Sequence, residues 1–323
     1  MVTLTCRLFG QCGLALLLAV QAVGTVAQEY PSKPIRFIVP NTPATPQDHA
    51  ARIVASELPK LLGQPVVVEN RPGASNMIGL EYVAKQVPAD GYNLLSLIVE
   101  ITASLPVTEK SLRFDPMKDL QGVIPLIEGK LLFGSPAAQP WKTFGEMVAY
   151  AKANPGKLNY GASSVLQTLP IESIARDAGI KIVQIPYSTG GLFLQGLLAG
   201  EVQLGLGAAT SFASGGDKLR VLAVTGDTRS SRYPDVPTFK ELGFPRIPGF
   251  TVTMHVRTGT PKAIIEKLNA ATAAALKTPH VREQFAKVQF DILGGTPEAA
   301  DRRLQDAGKF FAETAAQIGY QPQ

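Results

Sequence analysis

Short apolar runs alternate with segments of helical periodicity along most of the chain. Residues 35–39 include Ile35, Phe37 and Val39 and are rich in β-branched side chains, the pattern of a buried strand in a parallel sheet. Similar runs recur at residues 64–69, 93–99, 123–127, 131–133, 158–161, 180–186, 202–206, 219–225 and 251–256. Helical patterns lie between most of them, including residues 77–85, 144–154, 168–177 and 190–199. This alternation predicts an α/β protein with parallel, doubly wound sheets.

Four Thr-Pro pairs predict helix starts, at Thr45, Thr260, Thr278 and Thr296. In such a start, the threonine hydroxyl caps a free N–H group and the proline fills a position that needs none. Residues 100–118 contain two prolines and show no clear period, so they are predicted to form a long surface connection.

The turn that follows the first predicted strand is the first candidate for a binding site. Ligands of open α/β sheets bind beyond the carboxyl ends of the strands, next to helix N-termini. Residues 40–48 occupy that position, and Asn41, Thr45 and Asp48 supply its polar groups. An alternative is that Thr45 and Asp48 only form an ordinary capping box.

The N-terminus has the features of a secretory signal peptide over residues 1–27. Arg7 supplies a positive start, residues 14–20 form a short apolar core, and small residues end at Ala27. The apolar run is too short for a good membrane span, so we expect a mature chain that is not inserted in a membrane. Both cysteines, Cys6 and Cys12, lie within this segment. The expected product is therefore a periplasmic protein without disulfides.

Composition argues against several other classes of protein. The net charge is a mild +5, and lysine and arginine are scattered rather than clustered, so no nucleic-acid partner is predicted. The three histidines, His49, His255 and His280, lie far apart and show no metal-ligand spacing. No nucleophile–base pair and no dinucleotide fingerprint can be placed, so neither an enzyme nor a cofactor is predicted.

A series of motifs resembles one family of proteins over the whole mature chain. They are YPSKPIRFIVP (30–40), QPVVVENRPGA (64–74), DGYNLL (90–95), FDPMKDL (114–120), KLNYGAS (157–163), IPYSTGG (185–191), KLRVLAVT (218–225), YPDVPTFKELG (233–243) and GTP (259–261). Their order and spacing are similar to those of the receptors of tripartite tricarboxylate transporters, the Bug proteins.

The resemblance implies a type II periplasmic-binding-protein fold. Two doubly wound lobes would be joined by two crossover strands, with a ligand cleft between them. Lobe 1 would comprise residues 28–127 and 250–323, and lobe 2 residues 128–249. The resemblance also implies a monomer that delivers a small organic ligand to the membrane subunits of such a transporter.

The first turn departs from the family pattern. The family has a glycine pair ahead of an aspartate, whereas here Ala44, Thr45 and Pro46 precede Asp48. Pro46 removes one N–H group, a capping Thr45 hydroxyl would occupy another, and Asp48 adds negative charge to the same helix end. The turn is therefore expected to suit a carboxylate less well than the family pattern does.

Other positions aligned with the family's ligand-binding loops complete the predicted site. Glu100 follows the third strand, where it either faces the cleft and disfavours an acidic ligand or is a solvated loop carboxylate. Ser188 stands where the family has a basic residue, which also weakens the case for an anion. The remaining candidates are Ser75, Thr102, Ser163, Ser164, Thr168, Tyr187 and Gln195.

The sequence thus predicts an extracytoplasmic solute receptor. The family expectation is a carboxylate ligand, and the departures suggest one that is less acidic or that carries an amine. A receptor that docks on a signalling partner rather than on a permease would have the same sequence features, and that alternative stays open.

Overall fold

The computed structural model describes residues 29–288 and 290–320. The predicted signal peptide, residues 1–27, lies outside the described residues. Two β-sheets dominate this part of the chain, and each is covered by helices.

The first sheet has six strands in the order β2-β1-β3-β10-β4-β11. Strands β1, β2 and β3 are parallel, and β10 runs antiparallel to both β3 and β4. The strands are β1 (Ile35–Val39), β2 (Val66–Asn70), β3 (Asn93–Ile98), β4 (Leu120–Gly129), β10 (Phe250–Arg257) and β11 (Asp291–Ile292). Its helices are α1 (Pro46–Ala55), α2 (Leu58–Leu62), α3 (Met77–Glu81), α4 (Val99–Thr108), α5 (Pro116–Asp119), α10 (Lys262–Lys277), α11 (Pro279–Lys287) and α12 (Pro297–Ile318).

The second sheet has five strands in the order β7-β6-β8-β5-β9. Strands β6, β7 and β8 are parallel, and β5 runs antiparallel to β8 and β9. The strands are β5 (Leu131–Pro136), β6 (Leu158–Ala162), β7 (Ile182–Pro186), β8 (Leu204–Ala208) and β9 (Leu219–Val224). Its helices are α6 (Phe144–Ala153), α7 (Val165–Ala178), α8 (Gly190–Ala199) and α9 (Ala209–Gly215).

The two sheets share one plan, and the chain crosses between them twice. In each sheet the antiparallel strand is the one that arrives from the other sheet: β5 follows β4 directly through Lys130, and β10 follows β9 after residues 225–249. The mixed α/β fold of two lobes joined by crossing strands, predicted from the sequence, is confirmed. The lobe boundaries after residues 127 and 249 stay a prediction.

Apolar residues on both faces of the first sheet are buried. Phe37 and Leu94 pack with residues of α1 and α10, whereas Ile38 and Leu97 pack with residues of α4 and α12 on the other face. A strand covered on both faces must be apolar at consecutive positions, which explains the continuous runs in the sequence. Leu169 of α7 is buried in the same cluster as Leu97, so the lobes also contact each other through that helix.

The structure corrects two local predictions. Residues 99–108 form α4 rather than a surface connection. Pro106 lies in the last turn of the helix, where few helical backbone hydrogen bonds remain for a proline to disrupt. Thr278 and Thr296 accept N–H groups as helix caps, but Thr45 and Thr260 do not. Those two hydroxyls instead donate to the carbonyl oxygens three residues earlier, of Thr42 and Arg257.

Close packing of α3 on the end of β1 yields a stability prediction. A Cβ atom at Gly79 would lie 2.6 Å from Cα of Pro40 and 2.9 Å from the carbonyl oxygen of Arg71. These are backbone atoms, so Gly79→Ala should lower the free energy of unfolding by about 1–3 kcal/mol. Urea denaturation monitored by circular dichroism measures the change.

Gly145→Ala is the matched control, because that glycine also lies in a helix and its added Cβ would meet no atom within 4 Å. It should raise the free energy of unfolding by about 0.5–1 kcal/mol through helix propensity. Equal stability of the two variants would contradict the packing described for α3.

Candidate ligand-binding site

A cavity of about 320 Å³ lies between the two lobes. It sits at the carboxyl ends of strands from both sheets, since Ile98 at the end of β3, Ser163 just after β6 and Ala208 at the end of β8 all line it. This is the position that ligands occupy in open α/β sheets. It is lined by Pro46, Ile98, Glu100, Leu131, Ser163, Ser164, Leu166, Gln167, Gly190, Phe193, Leu206, Gly207, Ala208, Ser211, Pro248, Gly249, Phe250 and Phe311. We call it the interlobe cleft.

The lobe 2 side of the interlobe cleft contains the N-termini of helices α7 and α8. Helix α7 begins after Ser164 and has no side-chain cap. Helix α8 begins at Gly190, where an added Cβ would meet only the Ser163 hydroxyl oxygen, at 3.9 Å. The Thr189 hydroxyl accepts the N–H of Leu192 at 3.2 Å, so the N–H groups of Gly190 and Gly191 are the ones left at this helix start. The first N–H groups of a helix have no partner within it and carry the positive end of its dipole. This wall therefore favours an anionic group.

Gln167 fixes the loop between β6 and α7. Its side-chain oxygen accepts from the Ser163 backbone N–H at 2.6 Å and from the Ser163 hydroxyl at 2.8 Å. Its amide nitrogen donates to the Leu206 carbonyl oxygen at 2.6 Å. Since both ends of the amide are bonded within the protein, Gln167 positions Ser163 and ties β6 to β8.

Glu100 is the charged side chain of the lobe 1 wall. It lies in the first turn of α4, is 6% exposed, and accepts the backbone N–H of Thr251 in β10 at 2.7 Å. Burial raises the pKa of Glu100 to about 7, against an ordinary value of 4.5, and the nearby Glu128 carboxylate adds to the effect. Among the described residues that line the interlobe cleft, none is a lysine or an arginine.

Apolar side chains form the middle of the interlobe cleft. Phe193 comes from α8, Phe311 from α12, and Leu131 and Phe250 from the two places where the chain crosses between lobes. The Phe250 ring packs edge-on against Phe290, with ring centroids 5.8 Å apart. The cleft thus has polar groups at its two ends and apolar walls between them.

The first turn, residues 40–48, is built around Asp48. Pro46 is the one residue of this turn that lines the interlobe cleft. The Asp48 carboxylate accepts from the Ala44 N–H at 3.0 Å, from Nε of Arg52 at 2.9 Å and from Nδ2 of Asn70 at 2.9 Å. Burial alone would raise the pKa of Asp48, but these hydrogen bonds outweigh it and lower the pKa. The Asp48 charge is therefore neutralised inside the turn.

The capping box expected for the first turn is wrong. The Thr45 hydroxyl donates to Thr42, and Asp48 accepts from Ala44 rather than from Thr45. Ala44 adopts a φ of 65°, a backbone conformation usually taken by glycine. Asn41 accepts the N–H of Thr42 and so stabilises the turn itself.

The structure brings together only some of the residues predicted as the site. Glu100, Ser163 and Ser164 line the interlobe cleft. The others named from the sequence are absent from its lining: Asn41, Ala44, Thr45, Asp48, Ser75, Thr102, Thr168, Tyr187, Ser188 and Gln195. Contact of any of these residues with a ligand stays a prediction.

Two of the residues outside the cleft have evident packing roles. The Thr168 hydroxyl accepts from the Gln184 amide and donates to the Ser164 carbonyl, and the helix it was expected to begin starts earlier, at Val165. The Tyr187 hydroxyl donates to Glu201 at 3.3 Å, beyond the far end of α8. Both side chains hold helices in place.

The apolar walls were missed by sequence reasoning. Phe193, Phe250, Phe311 and Leu131 come from four separate elements, and no local motif marks them. The one available signal was the position of Leu131 and Phe250 at the predicted lobe crossings.

Two other depressions border the lobes, but the helix starts of lobe 2 do not converge on them as they do on the interlobe cleft. One, of about 510 Å³, lies between residues 226–251 and α12; it contains charged pairs such as Lys240–Asp227 at 2.7 Å and Arg246–Glu313 at 3.0 Å. The other, of about 980 Å³, lies beside β11 and includes Lys130, which pairs with Asp291 at 3.3 Å. Neither includes a residue of α7 or α8 in its lining.

Metal and membrane features were sought in the part of the chain that the structure describes. It holds no group of three or more histidine, cysteine, aspartate or glutamate residues placed to bind a metal ion. Within the same residues, no helix combines the length and the apolar character that crossing a membrane requires.

Two lobes, two crossings and a cleft at the strand ends define a solute-binding protein. Residues 50–319 match the model of the TctC family, the tripartite tricarboxylate transporter family receptors. A Cupriavidus necator protein described as "UPF0065 protein in gbd 5'region" is 36% identical over 304 residues, which cover 93% of this chain and 90% of that protein. The chain therefore belongs to the tripartite tricarboxylate transporter receptor family.

Solved structures agree with this assignment. The periplasmic binding protein BugD has a TM-score of 0.69 and 26% identity, covering 91% of this chain and 100% of that chain. The R. palustris protein Rpa4515, solved with adipate, has a TM-score of 0.73 and 28% identity over the same shares. The family is one of periplasmic solute-binding receptors, as the sequence motifs predicted.

The raised pKa of Glu100 predicts a pH dependence of stability. The folded pKa of about 7 exceeds the ordinary value of 4.5, so the stability present at low pH is lost as the pH rises through 7. Between pH 5 and pH 8 the wild-type protein should lose about 2–3 kcal/mol relative to Glu100→Gln. Urea denaturation of both proteins at the two pH values measures this difference.

His255 does not confound that comparison. Burial lowers the pKa of His255 to about 3, so the stability that its neutral form contributes is lost as the pH falls, opposite in sign to the effect of Glu100. Both proteins contain His255, so its contribution cancels when wild type and variant are compared. Parallel pH profiles for wild type and variant would show that Glu100 is not held in the environment described here.

Proposed function

We propose that this protein is an extracytoplasmic receptor that binds a small carboxylate in the interlobe cleft and presents it to the membrane subunits of a tripartite tricarboxylate-type transporter. The observation that carries the proposal is the convergence of the N-termini of α7 and α8 of lobe 2 on a cavity that lobe 1 covers from the opposite side. Helix N-termini bind carboxylates through free N–H groups and the helix dipole.

The local geometry removes two of the three objections that the first turn raised against a carboxylate; those from Glu100 and Ser188 are separate. The Thr45 hydroxyl does not occupy an N–H group of α1, since it donates to Thr42. The Asp48 charge is bonded to Arg52 and Asn70 instead of facing the cleft. Within the first turn, only the loss of the N–H at Pro46 remains, and the starts of α7 and α8 offer other donors.

Glu100 supports a competing choice of ligand with the same receptor role. A buried carboxylate at the lobe 1 wall could pair with an ammonium group if the ligand carried one. The two choices respond oppositely to pH. Affinity for a carboxylate should fall as Glu100 ionises near pH 7, whereas affinity for an amine should rise.

The two-lobed design supports delivery to a transporter. Closure of two lobes around a ligand changes the surface presented to a partner, so a membrane subunit can distinguish loaded from empty receptor. In this structure Leu169 of α7 packs among residues of the first lobe, which is an apolar contact between the lobes. The expected export by the segment at residues 1–27 would place the protein where such a partner could meet it.

Titration calorimetry on the chain from Gln28 onward tests the proposal. Monocarboxylates, dicarboxylates, tricarboxylates, amines and amides are each titrated at pH 6 and pH 8. At least one class of carboxylate should bind, and Gly190→Asp should weaken its binding by at least about tenfold, because it places a second anion at the start of α8.

Gly145→Asp is the matched control. Both glycines lie in the first turn of a helix and both have room for a side chain, but Gly145 belongs to α6, away from the cleft. It should leave affinity unchanged. Binding of amines alone, with affinity rising from pH 6 to pH 8, would contradict a carboxylate receptor, as would binding that Gly190→Asp does not affect.

A further inference from the structure

We propose that the interlobe cleft selects carboxylates with a single acidic group and an apolar body, and that Glu100 rejects a second carboxylate. This rests on the proposed carboxylate-receptor function and names the ligand class within it. Glu100 would then be a specificity-determining residue of the cleft.

The donors for an acidic group are concentrated at one end of the cleft. On lobe 2, the starts of α7 at Ser164 and α8 at Gly190 face the cavity, and the open space at Gly190 exposes its backbone. The Ser163 hydroxyl hydrogen is already donated to Gln167, so the donors left for a ligand are the free N–H groups of the helix starts and the hydroxyls of Ser164 and Ser211, which also line the cleft.

The middle of the cleft suits carbon rather than charge. Phe193, Phe250, Phe311 and Leu131 line it, and Phe311 is fully buried. At about 320 Å³, the cavity is at the lower end of the range of about 300–1,000 Å³ for small-molecule sites. A short alkyl chain or a single aromatic ring placed there would pack against these apolar side chains.

The lobe 1 end offers poor binding to a second acid. Pro46 occupies the first position of α1 and has no N–H to donate. The Glu100 carboxylate is hydrogen-bonded to Thr251, and it adds a negative charge to this wall once it is ionised. A ligand carboxylate beside it would have to be protonated or would be repelled.

The charged groups around Glu100 do not reverse this argument. Glu128 of β4 lies close enough to add negative potential. Lys240, Arg246 and Lys309 border the depression on the far side of Glu100, but they pair with Asp227 and Glu313. Arg303 of α12 lies on that far side too and is absent from the lining of the cleft.

Hexanoate and adipate form a matched pair of probes, because they share a six-carbon chain and differ by one carboxylate. Calorimetry at pH 8, where Glu100 is mostly ionised, should give at least about tenfold tighter binding of hexanoate. In Glu100→Gln the preference should shrink to about threefold or less. Glu57→Gln, which makes the same change at a buried glutamate outside the cleft lining, should keep the wild-type ratio.

A second variant tests the apolar wall independently of Glu100. Phe250→Leu should weaken hexanoate and 3-phenylpropanoate by about tenfold or more, since the lost contacts are made only by the apolar body. Thermal unfolding of the unliganded variants shows whether each is folded.

Adipate binding as tightly as hexanoate, or an unchanged ratio in folded Glu100→Gln, would overturn the inference while leaving a carboxylate receptor in place. Failure of every mono-, di- and tricarboxylate to bind would overturn the proposed function and the inference together. Tight hexanoate binding that Phe250→Leu does not weaken would overturn the assignment of the apolar wall.

Discussion

The place where the chain crosses between its two sheets constrains the rest of this structure. Leu131 donates its N–H to the Thr225 hydroxyl at 2.8 Å, and Thr225 returns its own N–H to the Leu131 carbonyl oxygen at 3.0 Å. Beside them, Gly249 lies so close to the Gly129 carbonyl oxygen that a Cβ would approach it to 2.9 Å. The crossings are thus adjacent, and each delivers the antiparallel strand of the sheet it enters. This arrangement turns the carboxyl ends of both sets of parallel strands toward one cleft.

The chemistry of the interlobe cleft follows from that arrangement. Parallel strands are followed by helices, so strand ends that face each other bring helix N-termini together. The crossings themselves contribute Leu131 and Phe250 to the apolar walls. Glu100 links the two features, because it starts the helix after β3 and accepts an N–H from β10 just after the second crossing. A ligand at this position contacts both lobes and the connection between them, which is how binding can be coupled to closure.

Much of the fold could be predicted from the sequence because strands buried on both faces leave continuous apolar runs. Helix α4 could not be predicted in this way. It is buried on most sides, so its residues 99–105 show no polar face that would give a helical period. The candidate site was predicted less well. Glu100, Ser163 and Ser164 follow strands in sequence and were found, whereas Phe250 and Phe311 reach the cleft only through tertiary packing. Asp48 looked like a site residue, yet its spacing of four from Arg52 is also that of a helical ion pair, which is what it forms.

The central claim is that a ligand carboxylate binds to the helix starts of lobe 2, and backbone amide NMR tests it most directly. Titration of ¹⁵N-labelled protein with the carboxylate that binds most tightly should move the amide resonances of Gly190 and Gly191 downfield, together with those of the first turn of α7. The largest shifts should lie at these helix starts and at the crossing residues Leu131 and Phe250. Shifts confined to the depression beside α12, around Arg246 and Arg303, or to the turn at Asp48, would contradict the account.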